Sequence, residues 1–67
     1  MNWYTVKIGN WRMPVKAKYP NGALVQGLRI YKNTNAIPRG AIAKAKRTGG
    51  PVLIKCENAR ITWATVE

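Results

Sequence analysis

Twelve lysines and arginines stand among 67 residues that include only two glutamates, no aspartate and no histidine, for a net charge of +10. Side chains in this balance suit one chemistry above others, the holding of a polyanion. The cations are interleaved with apolar and aromatic residues from Lys7 to Arg60. Such a pattern belongs to the surface of a packed domain and differs from a disordered basic tail. Lys and Arg follow a phosphate backbone, while exposed aromatic rings stack on unpaired bases. Lys7, Arg12, Lys16, Lys18 and Arg29 are therefore the expected phosphate contacts, with Trp3 and Tyr31 as stacking partners. Arg39, Lys46 and Arg47 would extend the footprint from a neighbouring helix.

Other chemistries lack their residues. Without histidine no side chain has an unperturbed pKa near neutrality, and Glu57 and Glu67 are the only carboxylate side chains available as acids or bases. The chain is accordingly read as non-enzymatic. One cysteine, Cys56, cannot build a structural zinc site, and two separated glutamates are poor hard-cation ligands, so neither a metal nor a cofactor is expected. Gly49-Gly50 lacks the strand-to-helix setting of a phosphate-binding loop and reads as a helix stop. The unpaired cysteine fits a reducing, cytoplasmic compartment. No apolar run approaches the ~20 residues that span a bilayer, and residues 1–7 do not resemble a signal peptide.

The elements that must carry these residues follow from periodicity. Residues 3–8 read as a strand, and residues 11–19 alternate, with Trp11, Met13, Val15, Ala17 and Tyr19 on one side and Arg12, Pro14, Lys16 and Lys18 on the other. Gly9-Asn10 is a two-residue hairpin turn that places Ile8 opposite Trp11, Val6 opposite Met13 and Tyr4 opposite Val15. Asn21-Gly22 predicts a second hairpin leading into a strand over 23–32, with Leu24, Leu28 and Ile30 inward and Val25, Arg29 and Tyr31 outward. Pro14 lacks a ladder N–H, which predicts a bulge or bend near Pro14 or Gly27. Residues 36–47 change to a helical period with Ile37, Ala41, Ile42 and Ala45 on one side, capped by Asn35 and stopped by Gly49-Gly50. Val52 to Cys56 and Arg60 to Val66 read as the last two strands. Trp11, Trp63, Tyr4, Met13 and Ile61 are assigned to the core.

The order strand, strand, strand, helix, strand, strand resembles a minimal OB-fold in topology, a resemblance that implies a small five-stranded antiparallel barrel over residues 1–67 with one short helix between strands 3 and 4. An SH3-like or KOW-type barrel is the nearest competitor. A three-stranded sheet on one helix, as in AP2-like or integrase arm-binding domains, is disfavoured by the two strands after the helix. The expected function is non-catalytic binding of DNA or RNA through a basic sheet face, single strands slightly preferred over duplex. The alternative is a small viral or mobile-element regulator docking on an acidic surface of a larger protein. Open sheet edges would allow a homodimer.

Overall fold

The computed structural model describes residues 1–67. It is mainly β, with four antiparallel strands and two helices: β1 (Asn2–Ile8), β2 (Trp11–Ala17), α1 (Pro20–Tyr31), α2 (Ala41–Thr48), β3 (Val52–Glu57) and β4 (Arg60–Val66). The strands form an open sheet in the order β2-β1-β4-β3. This replaces the expected five-stranded barrel, because the segment read as a third strand is helix α1 and the sheet does not close on itself.

The first hairpin has the register its turn dictates: Ile8 faces Trp11, Val6 faces Met13 and Tyr4 faces Val15. Gly9 sits at φ +61° in the turn, where a side chain would be strained. Asn21-Gly22, by contrast, lies inside α1. Ala23, Leu24, Gly27, Leu28 and Tyr31 are all buried, a spacing that forms one helical stripe and cannot be matched by a strand. Pro20 occupies the first turn, where its missing N–H costs nothing, after Tyr19 in an extended conformation. The helical turn carries Ile30 to the surface and Tyr31 into the core, the reverse of their expected positions.

The second helix begins at Ala41 behind Gly40, which adopts φ +84°, so Asn35 does not cap it. The Asn35 amide instead donates to the Tyr31 carbonyl at 3.2 Å and closes α1. Gly49 ends α2 in the left-handed conformation, as the Gly49-Gly50 stop predicts. Small buried residues, Ala41 and Ala45, form the inner side of α2.

Both helices cover one face of the sheet. Val6, Ile8, Val15, Ala17, Val52, Ile54 and Ala64 from the strands join Leu24, Leu28, Tyr31 and Ala45 in a single core. The closest approach is at Gly27, where an added Cβ would come within 2.5–2.8 Å of the Val6 side chain. Gly27 is thus a contact point between helix and strand rather than the bend expected of it.

Both sheet edges are blunted. Thr5 exchanges backbone bonds with Glu67, so its polar groups point toward β4, and Pro14 opposite it occupies a non-hydrogen-bonded position on edge strand β2. Pro14 therefore removes no ladder bond, which resolves the conflict it posed as a central-strand residue. At the other edge, β3 is interrupted by an irregularity between Leu53 and Lys55.

Candidate nucleic-acid interface

The face of the sheet that the helices leave open is set by strand alternation. Since Val6, Ile8, Val15 and Ala17 point inward, Trp3, Thr5, Lys7, Arg12, Pro14 and Lys16 must point outward. On β4 the register puts Ala64 between Ile8 and Val52, both buried, which turns Trp63 and Thr65 outward. Trp63 is 44% exposed and Ile61 is also exposed, so neither belongs to the core as their size suggested. Ala64 takes the inner position, and is fully buried there. Trp11 does pack against the core, its ring meeting Tyr31 edge-on at 5.4 Å.

Read along the open face, one end carries Trp63 beside Leu53, the next row Arg12, Lys7 and Thr65, then Pro14, Thr5 and Glu67, and the far end Lys16 and Trp3. Trp3 is 68% exposed, and the Lys16 ammonium lies 5.8 Å from its ring centroid. From the strand rise, the two tryptophans stand roughly 20 Å apart along the sheet, with Lys7 and Arg12 between them and Lys16 level with Trp3.

Lys7 is the one paired cation on this face. Its ammonium donates to Glu67 Oε1 at 2.7 Å, and that hydrogen bond, reinforced by the charges of Lys7 and Arg12, holds the Glu67 carboxyl below the usual Glu range. The pair's contribution is complete above the ordinary Glu pKa and is lost as pH falls through the lowered folded value. Solvent screens so exposed a pair, so Glu67→Gln should leave the melting temperature nearly unchanged. The same variant is expected to tighten oligonucleotide binding a few-fold at low salt, because it frees Lys7 and removes the only acid on the face; unchanged affinity in a titration would show that Lys7 takes no part.

The remaining predicted residues divide by layer. Lys18 lies in the bend after β2 with its ammonium 5.8 Å from the Tyr19 ring. Arg29, Arg39, Lys46 and Arg47 are exposed on the helical layer, on the other side of the sheet from Trp3. The helical conformation of residues 20–31 removes Arg29 from the sheet platform, and Tyr31, only 8% exposed, is a core residue and not a stacking platform. Trp63 and Ile61 lie on the surface although their size marks them as core, because only the pairing of β4 with β1 fixes their side; Leu53, which the sequence reading leaves unplaced, shares it as the partner of Trp63.

A groove of about 760 Å³ opens at the turn end of the sheet, between Gly9-Asn10 and Asn58. Trp11, Tyr31, Lys55, Glu57, Arg60 and Ile61 line it together with Asn35. No group of three or more metal-ligating side chains comes together, and no helix is long and apolar enough to cross a membrane. No family model matches the chain, and neither a curated protein nor a solved structure does.

Proposed function

We propose that this chain is a non-catalytic nucleic-acid-binding protein that lays an unpaired strand across the open face of its sheet. The observation that carries this reading is the row of Lys7, Arg12 and Lys16 flanked by two exposed tryptophans on the one sheet face without a helical cover. A second copy stacked on that face would set like charges against each other, whereas a phosphate backbone neutralises them. Unpaired bases offer their π-faces to Trp3 and Trp63, while in a duplex those faces are already occupied by neighbouring bases. A four-stranded sheet is also wider than the two-stranded ribbon that a major groove admits. Single-stranded DNA or RNA is therefore the preferred ligand.

Titration against single- and double-stranded oligonucleotides at several salt concentrations tests the proposal. Trp3→Ala and Trp63→Ala are each expected to weaken single-strand binding about tenfold, within the ~1–3 kcal/mol that one stacked base contributes, and to affect duplex binding less. Both residues are exposed, so each variant should retain its fold, which circular dichroism would verify. Equal losses for both ligand types would rule out stacking. Failure of every oligonucleotide to bind at low salt would refute the nucleic-acid reading and favour an acidic protein surface.

A further inference from the structure

The groove at the turn end lies on the helical side of the sheet, since Lys55 pairs with Thr62 and Glu57 with Arg60 on the side that Ala64 takes, and it holds polar groups that the protein itself does not use. Glu57 and Arg60 are directly opposed across the β3–β4 hairpin, yet they form no ion pair. In a chain with two acidic side chains, one serves Lys7 and the other is left free in a cationic groove. A carboxylate placed there weakens phosphate binding unless it accepts from a ligand's N–H groups. Tyr31, more than nine-tenths buried, lines the same groove, and its hydroxyl has no partner within the protein. Because no buried side-chain polar atom is left unsatisfied, that hydroxyl must reach solvent. Asn10 and Asn58 also make no side-chain hydrogen bond in the fold, and Trp11 supplies an aromatic wall. Ile61 belongs to both the groove and the open face, so a strand lying on the sheet can reach the groove by passing around the turn end.

We infer that this groove reads one unpaired guanine of the bound strand, with Glu57 accepting from the N1–H and N2–H₂ donors and Arg60 donating to O6 and N7. Guanine presents both a two-donor edge and a two-acceptor edge, which matches an acid and an arginine held on opposite strands of one hairpin. Adenine and cytosine lack the two adjacent donors, and thymine has neither an adjacent donor pair nor an adjacent acceptor pair. Lys55 contributes positive charge for the adjoining phosphate, and the Tyr31 hydroxyl and the asparagine amides complete the polar lining. The groove's volume is of the size that holds a small ligand. This inference rests on the sheet face binding single strands and adds base selectivity to it.

The test uses fluorescein-labelled oligothymidylate and the same oligomer with one central thymine replaced by guanine or adenine, read by anisotropy. The guanine oligomer is expected to bind about tenfold more tightly than the other two, as one good bidentate contact provides. Glu57→Gln should abolish that preference while leaving oligothymidylate affinity equal or slightly higher, and Tyr31→Phe should reduce it. Equal affinity for the three oligomers, or a guanine preference that survives Glu57→Gln, would overturn the guanine site and leave the sheet face intact. Absence of binding by all three would refute the sheet face as the primary site and the groove with it. Since Glu57 is exposed at a hairpin turn, its variant keeps the fold available for measurement.

Discussion

Raising the salt concentration from about 50 to about 200 mM should weaken single-strand binding by roughly two orders of magnitude. Lys7, Arg12, Lys16 and Lys18 lie on the open face or the adjoining bend, Lys55 and Arg60 line the groove at its end, and the other six cations lie on the helical layer and its connection. Each phosphate neutralised on a single strand contributes about −0.7 to the slope of log K against log salt, so five or six contacts give a slope near −4. The two layers can be told apart. Replacing Arg12 and Lys16 together by alanine should flatten the slope by about 1.4, the worth of two contacts, whereas replacing Lys44 and Lys46 on α2 should change it far less. A flat salt response, or a larger effect from the helical pair, would remove the sheet face from consideration.

The largest expected effect on stability comes from Gly27→Leu. A leucine here must start from a Cβ placed 2.5 Å from a Val6 methyl, inside a core where Val6 and Leu28 are completely buried. Helix propensity favours the change by up to about 1 kcal/mol, but overpacking a filled core costs about 1–3 kcal/mol even for extra methylenes. For a whole side chain, separation of α1 from the sheet is the only relief, with a net loss of about 3 kcal/mol or more. In a domain of this size that lowers the melting temperature by roughly 12–24 °C. Gly27→Ala should show a smaller loss of the same sign, since its single methyl meets the same valine and recovers most of the propensity gain. Calorimetry of the two variants measures both, and a melting temperature unaltered by leucine would show that α1 does not press on β1 at this point.

The first hairpin was legible from sequence because two independent signals, the Gly9-Asn10 turn and a period-two pattern on both sides of it, give the same register. The outward set Trp3, Lys7, Arg12 and Lys16 followed directly. Residues 20–31 carried two signals that disagree. Asn21-Gly22 is a strong turn dipeptide, and Leu24, Leu28 and Ile30 all have even numbers, which suits a strand. Leu24, Leu28 and Tyr31, with Pro20 at the start, suit a helix equally well, and only the burial of Ala23 and Gly27 against the sheet separates the readings. Removing that strand removes the barrel. On β4, Ile61 and Trp63 are larger and more apolar than Thr62 and Ala64, so a local pattern puts the wrong residues inside. The decision is made by β1, which aligns Ile8 with Ala64 from far away in the chain. The groove was invisible for the same reason, since its lining comes from both hairpin turns and the end of α1.

The sheet order has a consequence for how the chain acquires its fold. The two central strands, β1 and β4, are the farthest apart in sequence, and Val6 and Val66 meet as partners only after everything between them has been made. Each hairpin closes locally and quickly, and α1 can cover the inner face of the first, but the edge of β1 stays unpaired until the second hairpin arrives. The first hairpin and α1 alone consequently have an uncovered strand edge at β1. The step that ends this exposure is the docking of β4, which seals the core and brings Trp63 onto the same surface as Trp3. Completion of the fold and assembly of the proposed binding face are therefore one event, and a chain halted before β4 would carry the charge of its first half without the surface that organises it.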